Sequence, residues 1–253
     1  MAFDRILGQE QPKKILKNAL QNSSVAHAYL FHGQESIGKK QIAIELAKSL
    51  NCASPIKGEA CDGCISCRKI ENKTHPDFFF IEPIKNTPTA REAVIKIEAI
   101  RELQRKLAFH PYEGKVKVAI IDTADLMNLQ AANSFLKTLE EPPSATILIL
   151  ISSNPFKLLP TLISRCQTIQ FQPLTHENIK KILKKIMAEQ MIGNDTLAFR
   201  TLRSRGSVKK ALAEDIENIV NIRKEIVSLL ETISFDRMDV VFSHAKAWAS
   251  QSD

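Results

Sequence analysis

Ala28-Tyr29-Leu30-Phe31-His32-Gly33-Gln34-Glu35-Ser36-Ile37-Gly38-Lys39-Lys40 is the stretch from which the fold is read. Its first four residues make a short apolar strand. Residues 33–39 form a Gly-x4-Gly-Lys loop, and a helix follows with Ile42, Leu46 and Leu50 on one side. Between a strand and a helix, such a loop turns its backbone N–H groups and the helix N-terminus toward phosphate, and Lys39 reaches for the terminal phosphoryl groups. The eighth position departs from this pattern. A phosphate-loop ATPase carries Ser or Thr there to ligate Mg²⁺, whereas Lys40 has no acceptor atom and a charge that repels the metal.

Outward from the loop, strands alternate with helices, the pattern of a parallel α/β sheet. Further strands are expected at 78–81, 117–122, 145–151 and 168–171. A loop is expected at 83–89. Val94, Ile97, Ile100, Leu103 and Leu107 recur at helical spacing, and a helix at 129–141 must end at Pro142-Pro143. Beyond Pro173 only helices are expected, at 175–191 with Thr175 as N-cap, and then at 194–204, 207–217 and 218–233. A domain boundary near residue 172 follows.

The strand at 117–122 ends in Asp122-Thr123-Ala124-Asp125. Asp122 suits a carboxylate that holds the Mg²⁺ shell, although a surface Asp ending an ordinary buried strand is the competing reading. The next position, where hydrolysing relatives of such folds place Glu to polarise water, is Thr123, which is no base near neutral pH.

Cys52, Cys61, Cys64 and Cys67 fall within sixteen residues, and Cys166 stands apart. The spacing Cys-x8-Cys-x2-Cys-x2-Cys lets four thiolates reach one tetrahedral ion, which makes structural Zn²⁺ the natural reading. Four thiolates leave no open position for water, so the site braces a loop and does no hydrolysis. An iron–sulfur cluster, disulfides or unrelated thiols are the alternatives.

Length and charge bound the rest. At about 150 residues per domain, 253 residues give one large domain and a smaller one. With 44% hydrophobic and 25% charged residues the chain can bury a core, which argues against disorder. The longest apolar run is far shorter than a membrane span, and residues 1–5 do not open a signal segment, so a cytoplasmic location is expected. A net charge of +7 permits a nucleic-acid partner, and one Trp with two Tyr makes phosphate contact, not base stacking, the expected mode. Arg101, Arg105 and Lys106 offer one basic helix face, for which solvent exposure is the competing reading.

Taken together, several runs identify a resemblance. They are His27-Ala28-Tyr29-Leu30-Phe31, the four cysteines after the helix that follows the loop, Ile121-Asp122-Thr123-Ala124-Asp125, residues 131–143 (AANSFLKTLEEPP) and Ser164-Arg165-Cys166. Over about residues 3–212 the chain resembles the delta prime subunits of the bacterial DNA polymerase III clamp loader, within the AAA+ family. The resemblance implies an AAA+ module: a P-loop α/β domain at 1–172 with a four-cysteine zinc module at 52–67, and a helical lid at 173–213. It also implies the beginning of a helical collar at 214–253, shorter than is usual. Residues 3–9 resemble the segment that leads into the nucleotide pocket.

As function, the resemblance implies a bacterial stator subunit that helps load the sliding clamp onto primed DNA, in a hetero-pentamer with gamma/tau and delta subunits. It would be part of a nucleotidyltransferase holoenzyme while itself catalytically silent. Arg165 is then an arginine finger offered in trans to ATP on a neighbour. Gly33, Gly38, Lys39, Lys40, Asp122, Ser153 and Lys209 form a degenerate site for ATP and Mg²⁺. Ser153 stands where the family senses the γ-phosphate, and Lys209 where motor subunits carry Arg. Two other functions compete: an active motor resembling gamma or tau, which calls for Ser or Thr at 40 and Glu at 123, and a zinc-knuckle DNA-binding protein with a vestigial loop.

Overall fold

Residues 28–31, 118–121 and 147–151 contain no charged or strongly polar side chain, and strands apolar on both faces need cover on both. A computed structural model describes residues 3–85, 93–187, 194–213 and 226–227 and shows how that cover is arranged. The strands are β1 (Ala28–His32), β2 (Phe78–Ile81), β3 (Ile84–Lys85), β4 (Ala93–Val94), β5 (Lys117–Ile121), β6 (Thr146–Ser152) and β7 (Gln167–Gln170). Five of them form one sheet in the order β2-β5-β6-β1-β7, and every pairing in it is parallel. The two-residue strands β3 and β4 pair antiparallel with each other.

Alternation along the strands sorts their side chains into two layers. Tyr29, Phe31, Val118, Ile120, Ile147 and Ile149 pack with Leu16 of α1 (Glu10–Gln21), Ile42 and Leu46 of α2 (Lys39–Asn51) and Ile70 of α3 (Ile65–Glu71). Ala28, Leu30, Ala119, Ile121, Leu148 and Leu150 pack on the other face with Ile100, Leu103 and Leu107 of α4 (Ile97–Leu107) and Phe135 and Leu139 of α5 (Leu129–Glu140). Each of the Val, Leu, Ile and Phe side chains among these, when fully buried, contributes about 1.5–3 kcal/mol relative to exposure.

The short helix α6 (Pro160–Ile163) leads into β7. Then α7 (His176–Ile186), α8 (Asn194–Arg203) and α9 (Val208–Leu212) pack on one another and extend the first layer with Leu174, Ile179, Leu183, Leu197 and Ala211. Backbone hydrogen bonds tie the turn before α9 to the segment before α7 and the start of α9 to the loop after β1: Leu174 N donates to Gly206 O at 3.1 Å, and Val208 N to Ser36 O at 3.0 Å. Among the described residues, no helix is long and apolar enough to cross a membrane.

The expected strands are found within one residue of their anticipated bounds. Val94 is a correction: it lies in β4 opposite Ile84, and the helix starts only at Ile97 behind Lys96 as N-cap. Ile95 is tied to the backbone of Leu126, which fixes extended geometry just before the helix. For the same reason Ile84 and Lys85 are strand and not loop. Helix α1 has no counterpart among the expected elements. Its N-cap is Gln9 in the left-handed region (φ 59°) with no side-chain cap, so the usual polar start signal is missing. The collar expected at 214–253 lies outside the described residues apart from 226–227.

Gly206 sits at the junction with φ +82°, and a Cβ there would meet Pro173 Cβ at 2.6 Å and Leu174 N at 2.8 Å. Gly206→Ala is expected to lower the unfolding free energy by at least about 1–2 kcal/mol, measured by urea titration followed by circular dichroism.

Candidate functional site

Polar chemistry begins where the buried strands end. After β1, Gly33 (φ +142°) and Gly38 (φ +100°) adopt angles that side chains disfavour, and a Cβ on Gly33 would come 2.4 Å from Phe171 O. Gly38 is the N-cap of α2. Lys39 is buried, and its ammonium donates to Gly33 O at 2.6 Å and Gln34 O at 2.5 Å. Burial lowers its pKa to about 8, against the opposing pull of Asp122, Asp125 and Glu35.

The loop borders a cleft of ≈ 1140 Å³. Ile6, Leu7, Leu174, Ile182 and Val208 are among its apolar lining residues, and Lys39, Lys40, Asp122 and Ser153 are among its polar ones. A cleft lined by both kinds of group can take a ligand with apolar and charged parts. Gln9, from the leading segment, holds the cleft's rim together. Its Nε2 donates to Ile37 O at 3.0 Å and Gln172 O at 2.6 Å, and its Oε1 accepts from Gln172 N at 3.1 Å.

Asp122 at the end of β5 faces Lys40. The Lys40 ammonium is 3.3 Å from Asp122 Oδ2 and 2.5 Å from Glu82 Oε1. Burial alone would lower the Lys40 pKa, but the hydrogen bond to Glu82 and the charge of Asp122 outweigh it and raise it. Glu82 is lowered in turn, chiefly by Lys40. A divalent cation at Asp122 would therefore stand beside a fixed ammonium, and these residues do not fit Mg²⁺. Thr123 occupies the left-handed region (φ 54°) and caps a short 3-10 helix, Ala124–Leu126.

Asp125 accepts hydrogen bonds from Ser153 N (3.1 Å) and Ser153 Oγ (3.4 Å). Lys209 stands beside the cleft residue Val208 and pairs with Glu35 at 2.8 Å. The structure thus gathers Gly33, Gly38, Lys39, Lys40, Asp122, Ser153 and Lys209 at or beside one cleft. Sequence reading gives no individual role to Glu35, inside the 33–39 loop, or to Gln9, at the end of the leading segment, and it misses Glu82, which sits in no motif that spacing reveals.

The four cysteine sulfurs lie within 4.8 Å of one another, and Cys52 Sγ and Cys64 Sγ are 4.0 Å apart. Four ligands at about 2.3 Å from one tetrahedral ion require sulfurs about 3.8 Å apart, so the donor set fits a structural metal. Backbone N–H groups of Cys61, Cys64 and Cys67 point at the sulfurs of Cys52, Cys61 and Cys64, at 3.4, 3.3 and 3.4 Å. Burial pushes the Cys64 thiol up, but N–H donors from Ala53 and Cys67 and the neighbouring thiols outweigh it and bring it to about 6. Cys64 also caps α3, so a helix begins inside the stretch expected to be loop. Cys166 is a separate thiol that burial pushes up to about 12.

Ion pairs tie this module to the loop helix. Lys48 of α2, buried, reaches Glu45 at 2.6 Å, Asp62 at 2.8 Å and Glu71 at 2.8 Å, and Arg5 reaches Asp62 at 3.0 Å. Asp62, Cys67 and Glu71 also line the cleft. Arg165 lies elsewhere, between α6 and β7. It is half-exposed, donates to Thr161 O at 2.9 Å and pairs with Glu140 at 2.7 Å. Arg101, Arg105 and Lys106 lie on α4, where Lys106 pairs with Glu102 at 2.7 Å.

The sequence pattern of the family described as "DNA polymerase III, delta subunit" matches residues 8–175. The chain belongs to that family. Relatives of the DNA polymerase III clamp loader agree with it. The chain is 39% identical to the delta' subunit of Bacillus subtilis, over 69% of this chain and 51% of that one. It is 34% identical to the tau subunit of Escherichia coli, over 83% of this chain and 32% of that one. It therefore spans about a third to a half of the length of these relatives. Among solved structures, RuvB of Thermotoga maritima, a Holliday junction branch migration motor, aligns with a TM-score of 0.53 at 16% identity, over 89% of this chain and 66% of that one. At that identity the likeness is one of fold, and it is the AAA+ fold.

For this clamp-loader family member, the position of Lys39 carries a signed pH effect. Its pKa is about 8 folded against 10.5 as the ordinary value, so between these limits the unfolded chain binds more protons and stability rises with pH. Lys39→Met removes that contribution. The stability of wild type relative to the variant is expected to grow as pH rises above 8, read from urea midpoints on either side of that value.

Proposed function

We propose that the chain acts as a delta prime-type stator of the DNA polymerase III clamp loader: it binds no Mg²⁺, hydrolyses no ATP, and lends Arg165 to a neighbour's site. The observation that carries this reading is the Lys40 ammonium fixed between Asp122 and Glu82, where a hydrolysing site needs a metal. Thr123 supports it by leaving no carboxylate to polarise water.

In this reading, residues 1–172 form the P-loop domain, 173–213 the lid and 214–253 the start of the collar. Gamma/tau and delta subunits complete a hetero-pentamer that loads the sliding clamp on primed DNA in the bacterial cytoplasm. Arg165 suits a finger in trans because it is half-exposed and lies away from its own chain's cleft. A planar, permanent cation offered there stabilises charge on a phosphoryl group that this chain does not hold. Glu140 and Thr161 fix the direction in which it leaves the surface.

The test is ATP hydrolysis by the assembled loader with clamp and primed DNA. Arg165→Ala is expected to slow the site it serves by about 10³-fold, with the chain alone inert. Turnover by the chain alone that depends on Lys39 would overturn the stator reading in favour of a motor.

The cysteine module holds one structural Zn²⁺ in the same reading, bound by Cys52, Cys61, Cys64 and Cys67. Metal analysis of the purified chain is expected to give about one zinc per molecule. The double variant Cys64→Ser/Cys67→Ser is expected to lose that zinc and to unfold at a lower urea concentration.

A further inference from the structure

The cysteine module has almost no apolar interior of its own. Its buried cluster is Cys52, Ala60 and Cys67 with Cys61 and Cys64 packed against them, so its centre is four sulfurs and one methyl group. A core that small does not hold a chain in place unaided, and whatever binds the four sulfurs also fixes the residues between them. Two of those residues are acids that reach out of the module. Glu59 ends a turn in which Ile56 and Glu59 exchange backbone hydrogen bonds at 2.9 and 3.0 Å, and Asp62, in the left-handed region (φ 58°), stands between Cys61 and Cys64.

Both acids bind the segment that leads into α1. Glu59 is buried; its Oε2 accepts from Phe3 N at 3.2 Å and its Oε1 pairs with Lys17 of α1 at 2.9 Å. Asp62 offers one oxygen to Arg5 at 3.0 Å and the other to Lys48 of α2 at 2.8 Å. Lys17 also reaches Asp4 at 2.7 Å, and Lys13 Nζ donates to Ile6 O at 3.0 Å. The residues held in this way are a wall of the cleft: Arg5, Ile6 and Leu7 line it together with Asp62, Cys67 and Glu71 of the module. A buried carboxylate such as Glu59 is costly to leave without its donors, so the position of residues 59–62 and that of residues 3–7 are set together.

We propose that the cysteine centre serves to hold residues 3–7 as a wall of the cleft, its metal acting through Glu59 and Asp62. This rests on reading the four cysteines as a metal site, and metal analysis keeps the two apart. A chain purified without metal overturns both, whereas a metal-loaded chain whose wall is indifferent to the metal overturns this one alone.

Trypsin cleavage after Arg5, followed by mass spectrometry of the product that begins at Ile6, reports release of the wall, because cleavage tracks the population of the opened segment. Cleavage after Lys117, buried in β5, reports opening of the sheet in the same digest. Stripping the metal with o-phenanthroline in reducing buffer is expected to speed the Arg5 cut about tenfold or more and the Lys117 cut less than about twofold, and restored Zn²⁺ to slow the Arg5 cut again. Glu59→Gln keeps the side chain's size and removes the charge that Lys17 pairs with. That variant is expected to retain its metal and still to be cut after Arg5 at least about threefold faster than wild type. Equal acceleration of both cuts, which would make the metal a support of the whole fold, an Arg5 cut that ignores the metal, or a metal-loaded Glu59→Gln chain cut like wild type would each overturn the proposal.

Discussion

A strand buried on both faces can carry polar chemistry only where it stops. β1, β5 and β6 are apolar along almost their whole length, and each changes character at its carboxyl end, into Gly33, into Asp122 and into Ser152-Ser153. Because the strands are parallel and in register, these three ends arrive at one edge of the sheet. The cleft is therefore a product of strand direction before it is a product of any motif. Open parallel sheets collect their ligands at this edge for the same reason.

Within that edge the balance of charge decides what the site can do. Lys39 and Lys40 are neighbours in sequence with opposite settings. Lys39 is buried against loop carbonyls and gives up its proton more readily than usual, while Lys40 is held by two carboxylates and keeps its proton more firmly. The first is the feature of a phosphate loop, and the second is foreign to one. A single side chain, placed one residue past the motif, turns a metal-binding rim into a self-neutralised one.

How far this is legible in the sequence depends on the range of each interaction. The loop, the strand ends and the cysteine spacing are local patterns, and they suffice to bring Gly33, Gly38, Lys39, Lys40, Asp122 and the four thiols into view. The misfit of Lys40 with Mg²⁺ is also readable, since it needs only the residue's chemistry. What sequence does not supply is the identity of its second partner. Glu82 follows β2, forty-two residues away, and meets Lys40 only through sheet order. Local structure escapes for a different reason: α1 and α3 start without the usual oxygen-bearing caps, the first behind a left-handed Gln9 and the second behind a cysteine sulfur. Val94 fits a helical stripe by spacing, but its backbone is claimed by pairing with Ile84.

The bundle of α7, α8 and α9 is leashed to the loop by its own backbone. Ser207 Oγ donates to Glu35 O at 2.9 Å, Val208 N donates to Ser36 O at 3.0 Å, and Gln9 clasps Ile37 and Gln172 together. At about 1 kcal/mol each, these bonds make a spring and not a weld. The first two end on carbonyls of the loop itself, so the start of α9 is held directly on the curve that borders the cleft. The curve of the loop and the placement of α9 are therefore specified by the same bonds, and neither is set without the other.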